Sequence, residues 1–450
     1  MEKTELKTKY GFLTVVTMVI GIVIGSGVFF KAEKILAATG GDLTLGIVAW
    51  ILGGLVMIVC SFVFSTLAAK YSKVNGLIDY CEAEVSSKYG YFVGWFLANI
   101  YYPAMTSVLA WVSARYTFVL FGSTDITGGG CLALACFFLV AIYALNTLAP
   151  IAAGKFQIST TIIKLVPLIL MGVVGIIAGL FNGILVENFR MVVVSETVKS
   201  PLFTAVVATA FAYEGWIIAT SINAELKDSK KNLPKALVVG TFIIMVIYIL
   251  YYIGLAGAVQ KVNLMENGEA GAKLAFVNIF SSFAGTLLFV FIIISCLGTT
   301  NGLMMGVTRS YYAFAVRGYG PSPKKFSDIE ESTNMSANSA IMGVFTSAFW
   351  LLYFYGANLT APWFGVFSFD SSELPIITIY ALYIPVFFNI MKKEKDFSTF
   401  KRFIMPSLGV IASTFMLIAT IYAHGMSVLF YFILFAIIMV VGLLVNKKRD

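Results

Sequence analysis

Charge is what this chain has least of. Only 12% of its 450 residues are Asp, Glu, Lys or Arg, while 59% are hydrophobic. A soluble globular protein carries about 25% charged residues, and mean hydropathy here is +0.90, so lipid is the solvent for most of the chain. Histidine occurs once, at His424, which excludes a cluster of histidine metal ligands. The five cysteines, Cys60, Cys81, Cys131, Cys136 and Cys296, have no metal-ligand spacing. All but Cys81 sit in apolar runs and read as small buried hydrophobes. No metal and no cofactor is expected. Paired carboxylates are lacking as well, and an enzyme needs convergent groups at one depth. The short alternating segments of a β-barrel do not occur. No cleavable signal is evident, because the first apolar run is too long and lacks a small-residue cleavage site.

What is present is a succession of apolar runs, many near the roughly 20 residues that cross a bilayer. They fall at 11–37, 44–69, 91–121, 131–149, 156–181, 200–225, 236–260, 284–315, 338–356, 372–391, 403–423 and 426–446. This predicts an all-α integral membrane protein with twelve transmembrane helices, a single domain over 1–450. With the N-terminus inside, the inner segments hold 23 Lys and Arg and the outer segments six, with Arg115 and Lys164 inside helices. That asymmetry places both termini in the cytoplasm of a multi-pass protein of the cell membrane. It also explains the net charge of +8 without nucleic acid. Residues 70–90 read as a short inner helix, 317–337 as a polar loop. The segment 268–281 is too short to span and is expected over the outer vestibule as a lid.

Two of the runs are interrupted. The first contains GIVIGSGVF, residues 21–29, and the sixth carries Ala212, Tyr213, Glu214 and Gly215 at its middle. Glycine is a poor helix former, and a carboxylate is costly in an unbroken lipid-facing helix. Each interruption lies early in a set of five helices, 11–181 and 200–391, with 403–446 left as two more. Paired interruptions in two halves point to an inverted repeat with a site at the midplane. A broken helix offers bare N–H groups at one half-helix and bare C=O groups at the other, with opposite partial charges. A zwitterion with carboxylate and ammonium two bonds apart fits such a break. As a dinucleotide loop the stretch lacks the third glycine and the preceding strand. Gly21-x-x-x-Gly25 is also a small-residue packing match, a role Gly21 can hold beside the break.

Three buried polar residues stand out. Lys164 is mid-run in the fifth helix, where a lysine is expensive and usually paired. Its open readings are an ion-like partner, a snorkelling side chain and a proton carrier. Glu214 either faces the inner cavity, binds a substrate cation or carries a proton. Asn301 contributes to a pocket or bonds a neighbouring helix. Tyr101, Tyr102 and Arg115 are in reach of such a site. Tyr213 is expected to pack at the break, and His424 to be solvated in an outer loop.

GIVIGSGVF, TTIIKLVP (160–167), FAYEGW (211–216), AELK (224–227) and LPKA (233–236), in this order, resemble the amino acid–polyamine–organocation superfamily. The branch they are most similar to is that of the L-type amino acid transporters and bacterial serine/threonine-type exchangers. The resemblance implies a LeuT-type fold, a 5+5 inverted repeat with helices one and six broken, plus two extra helices. It implies a sodium-independent amino acid transporter working by alternating access, an exchanger of small or medium neutral L-amino acids. A proton-coupled symporter and an amino acid sensor on the same fold are the alternatives. Carried onto this chain, Gly25, Ser26 and Gly27 bind the substrate carboxylate through N–H groups. Carbonyls near Ile22, Val23, Phe211 and Ala212 take the α-ammonium. Phe211 closes over the substrate as a gate, and Glu214 and Asn301 belong to the substrate site. Lys164 replaces a coupling cation, its ammonium reaching carbonyls near Gly21 and Ile22. STLAAKYSKVNG (65–76) departs from the family pattern at Thr66, Ser72 and Asn75, and FDSSELP (369–375) has no match in it. Some L-type relatives pair with a glycoprotein through a cysteine between helices three and four. Here that loop is FGSTDITGGG (121–130) with Cys131 after it, and no obligatory protein partner is expected.

Overall fold

The computed structural model describes residues 8–446 except 26, 72–73, 124, 191–200 and 268. Ser26 therefore lies outside the described residues. The chain is helical throughout: α1 (Phe12–Val23), α2 (Gly27–Ala38), α3 (Leu43–Lys70), α4 (Gly76–Glu84), α5 (Ser87–Phe96), α6 (Tyr102–Leu120), α7 (Gly129–Leu148), α8 (Pro150–Leu170), α9 (Ile176–Phe181) and α10 (Ile184–Arg190). There follow α11 (Pro201–Tyr213), α12 (Ser229–Ala258), α13 (Lys261–Asn267), α14 (Glu269–Ile279), α15 (Ser282–Ala315), α16 (Pro323–Phe326), α17 (Ala337–Ala357), α18 (Leu374–Lys393), α19 (Met405–His424) and α20 (Ser427–Val445). Among the described residues, ten helices are long and apolar enough to cross a membrane. The expected run 11–37 is divided into α1 and α2, and 91–121 into α5, a π turn at Leu97–Tyr101 and α6. The expected helix 200–225 stops at Tyr213, and Trp216–Glu225 winds as a 3₁₀ stretch instead.

Local chemistry sets the ends. Asp42 accepts from Leu45 N–H at 2.9 Å and starts α3; Ser86 and Ser281 do the same for α5 and α15. Pro150 opens α8, where its missing N–H costs nothing. The side chains sort by solvent in the sense expected of lipid. On α8, Ile162, Val166 and Ile169 face outward, while Gln157, Thr160, Thr161 and Lys164 are buried. Inside, every buried polar group needs a partner, and the helix hydroxyls find theirs one turn back, as Thr160 does on Phe156 O at 2.8 Å.

Backbone meets backbone where α12 crosses the end of α8. The π turn Met171–Gly175 presents glycine to Gly254 and Gly257. A Cβ on Gly254 would stand 2.2 Å from Met171 O, and one on Gly175 2.3 Å from Gly254 O. Neither neighbour is a side chain that can swing away. Gly254→Ala is therefore expected to cost about 1–3 kcal/mol, read as a lower thermal midpoint in lipid nanodiscs. Gly129→Ala, where an added Cβ meets nothing within 4 Å, is expected to leave it unchanged.

Candidate binding site at two broken helices

α1 ends at Val23 and α2 begins at Gly27. Between them Ile24 N–H returns to Ile20 O at 2.8 Å and Gly25 N–H to Val23 O at 2.8 Å. α11 ends at Tyr213, and Gly215 takes φ +105°, a left-handed conformation that glycine adopts freely. The two breaks touch. A Cβ on Gly27 would lie 2.9 Å from Ala212 Cα, and one on Gly215 2.7 Å from Ile22 Cγ2. Here glycine permits a close approach that no other residue allows.

The orphan carbonyls of the breaks are met by side chains from three helices, α8, α12 and α15. Lys164, fully buried, donates to Gly21 O at 2.7 Å, Ile24 O at 2.7 Å and Ser295 O at 3.0 Å, with Thr299 Oγ1 at 3.1 Å. The ammonium thus ties α8, α15 and the end of α1 together; its partners there are Gly21 and Ile24, where Gly21 and Ile22 were expected. The Tyr248 hydroxyl on α12 lies 3.0 Å from both Val23 O and Ala212 O, spanning one break to the other.

A small cavity lies at the junction. Ile22, Val23, Gly25, Gly27, Phe211 and Glu214, all named from the sequence as substrate-site residues, line it together with Gly215. Ala212 does not; it packs against Gly27. The remaining lining is Met105 and Leu109 on α6 and Thr299 and Leu303 on α15. Sequence reasoning missed these four, although each pair is spaced one helical turn apart and so shares a face. Glu214 is buried; Tyr101 donates to its Oε1 at 2.5 Å, and its Oε2 has no hydrogen-bond partner. Asn301 is absent from the lining. Its amide donates to Ala153 O and Gln157 Oε1 and accepts from Asn146, which ties α15 to α8 and α7. Arg115 does not reach the cavity; its guanidinium lies over the Tyr116 ring. Tyr213 packs against Trp50 and Tyr248 and bonds Trp50 O at 2.9 Å.

Ion pairs close both ends. On the face where α1 starts, Lys9 N–H and Tyr10 N–H bond Glu225 O, and the Glu225 carboxylate holds Lys9 at 3.1 Å and Arg309. On the opposite face, Lys31 pairs with Glu373 at 2.6 Å and lies over the Phe211 ring, 5.5 Å from its centroid. His424 belongs to the last turn of α19 and bonds Glu373 Oε2 at 2.9 Å; it is not the solvated loop residue expected. Beside the first face, burial and the Glu394 carboxylate push the Glu84 carboxyl up to about 7.

Comparison with known proteins places the chain in a family. Residues 10–444 match the family model for amino acid permeases. The chain belongs to the amino acid permease family. It is 29% identical over 435 residues to the serine/threonine exchanger SteT of Bacillus subtilis, covering 95% of this chain and 94% of that one. It is 23% identical over 374 residues to the human large neutral amino acids transporter small subunit 2, with 80% and 68% covered. To the human Asc-type amino acid transporter 1 it is 25% identical over 327 residues, with 71% and 61% covered. These are transporters, and the family is not one of enzymes; the superfamily and branch expected from the motifs are the ones found.

Lys164→Met removes the charged donor shared by Gly21 O, Ile24 O and Ser295 O and leaves the two break carbonyls only the Ser295 and Thr299 hydroxyls. Hydrogen bonds to a charged group contribute about 1.5–3 kcal/mol, so a fall in thermal midpoint is expected. Lys164→Arg is not expected to restore it, since the planar guanidinium cannot take a site built for a compact ammonium. Differential scanning fluorimetry of the two variants checks both.

Proposed function

We propose that this chain is a sodium-independent exchanger of small or medium neutral L-amino acids, working by alternating access. The observation that carries the reading is Lys164. A fixed ammonium already holds the carbonyls of Gly21, Ile24 and Ser295, so the break needs no soluble cation to be complete. The substrate carboxylate meets the N–H groups at the start of α2, that of Gly27 among them, where the helix end carries partial positive charge, and Gly25 N–H joins them on leaving Val23 O. The α-ammonium meets the carbonyls of Ile22, Val23, Phe211 and Ala212 at the ends of α1 and α11, with Tyr248 yielding its share of Val23 O and Ala212 O. The side chain lies among Met105, Leu109, Thr299, Leu303 and the free Glu214 oxygen. That lining suits a short chain, and the carboxylate favours one that carries a hydrogen-bond donor. Phe211 is the gate. Asn301 we assign to helix packing, its amide being fully engaged.

In this reading the chain crosses the membrane twelve times. α1 with α2 makes one crossing, α5 with α6 another, and the ten long helices the rest. α1 through α9 form the first five-helix repeat of a LeuT-type fold, α11 through α18 the second, inverted, and α19 and α20 follow. Both termini face the cytoplasm of the cell membrane, as the distribution of Lys and Arg requires. No disulfide-linked partner is needed; Cys131, the cysteine beside the 121–130 loop, is buried.

One observation favours a second reading, proton-coupled symport: Glu214 is buried beside the cavity with one oxygen unpartnered. The test is uptake of labelled amino acids by proteoliposomes of the purified protein, with and without unlabelled amino acid inside. Uptake that needs internal substrate and ignores sodium and pH is the expected result, and Glu214→Gln is then expected to change substrate preference while exchange persists. Uptake that requires a proton gradient and disappears in Glu214→Gln overturns exchange in favour of symport. Failure to carry any amino acid overturns both and leaves a sensor on this fold.

A further inference from the structure

FDSSELP, 369–375, is one of the two segments that depart from the family pattern, and its Glu373 is the centre of the ion-pair cluster opposite the α1 face. One carboxylate there serves two groups able to carry positive charge. Lys31 Nζ is 2.6 Å from Oε1, and His424 Nε2 is 2.9 Å from Oε2. All three side chains are 14–16% exposed, too buried for bulk screening and too wet to be inert. Burial pushes the Glu373 carboxyl up, but the His424 hydrogen bond and the Lys31 charge outweigh it and hold it down at about 2. Glu373 is therefore an anion at every physiological pH.

The two partners differ in what they join. Glu373 and His424 sit at adjoining ends of α18 and α19, which pack along their lengths. Lys31 is on α2, which packs on α11 and reaches over Phe211. The Lys31–Glu373 pair thus crosses a joint between two helix pairs, while the His424–Glu373 pair stays on one side of it. The charged groups that face His424 are Glu373, Asp370 and Lys31. α11 and α20, which also pack on α19, carry no charged residue, and the one charge of α3, Lys70, is at its other end.

The geometry points to an outer latch: Lys31, held by Glu373, pins Phe211 over the cavity, and protonated His424 competes for that carboxylate and releases it. This rests on the transport reading above. With His424 neutral, separating Lys31 from Glu373 strands a partly buried anion. With His424 protonated, the anion keeps a countercharge within its own helix pair, and the imidazolium repels Lys31. Acid on that face therefore favours opening. Lys31, Glu373 and His424 act through Phe211 as positioning residues.

The first test does not depend on transport. Full-length protein in nanodiscs is compared with His424→Gln by hydrogen–deuterium exchange at the same pH, so that intrinsic rates cancel. At about pH 5.5, where histidine is charged, residues 27–38 of the wild type are expected to exchange about two- to fivefold faster, the factor of a partly exposed ion pair. Well above the ordinary histidine range, where even a His424 that, despite burial, is held up by the Glu373 carboxylate is neutral, the two proteins should agree. Lys31→Met is expected to exchange fast at both, with α8 and α12 unchanged as the sign that the fold is intact. Equal exchange at acid pH, or a Lys31→Met variant more protected than the wild type, overturns the latch. The second test is amino acid exchange with pH changed on one side of the membrane at a time. Acid on the face opposite the termini should raise the wild-type rate and leave His424→Gln flat. A wild-type rate flat on both sides, with exchange otherwise working, overturns the latch and spares the transport reading. No exchange in any protein overturns the transport reading, while the deuterium result still decides the latch.

Discussion

A backbone group that leaves its helix inside a bilayer has no water to turn to, and everything around this site follows from that constraint. The chain opens two helices at adjoining points and so creates bare carbonyls in the driest part of the molecule. It answers with a lysine from α8, a tyrosine from α12, and Ser295 and Thr299 from α15, whose hydroxyls return to Ile24, Gly25 and Gly21 carbonyls at 2.9–3.2 Å. The helices that supply these groups must then sit against the breaks. The packing of α1 on α8, α12 and α15 is the structural cost of keeping an opened backbone satisfied.

Much of this was legible in the residues. Glycine, serine and a carboxylate inside apolar runs are each locally unfavourable, and a membrane helix keeps them only for a reason, so both breaks could be read directly. Lys164 could be read for the same cause. The length of the apolar runs fixed nearly all the helices. What the sequence hid was anything decided by orientation. Tyr248 lies in an ordinary stretch of a long helix, and nothing local says that its hydroxyl reaches two breaks. Asn301 looked like a pocket residue because polarity shows in a sequence and direction does not; its side chain turns toward α8 and α7. Thr299 and Leu303, on the same helix, face the cavity instead. His424 stood beside a helix end, where a loop and a last turn look alike. Its acceptor, Glu373, comes from a segment 51 residues earlier.

The two closures differ in construction. On the α1 face the seal includes main-chain bonds, Lys9 and Tyr10 to Glu225 and Lys227 back to Tyr10 O at 2.9 Å, reinforced by the charges of Glu225 and Arg309. On the other face the ionic contact is made by side chains alone. Side-chain contacts of this kind are weaker and more easily exchanged than a backbone bridge. The cavity is small and lined mostly by apolar groups, and neither ion-pair cluster contributes to its lining.

Tyr248 has one hydroxyl proton and two carbonyls to give it to, one on each interrupted helix. While the halves lie together, both oxygens share it; once they part, only one can keep it. Moving either half alone therefore strands the other's oxygen in a dry interior, and moving both with α12 strands neither. The tyrosine works as a mechanical interlock. It penalises any arrangement in which one interrupted helix moves while its neighbour stays.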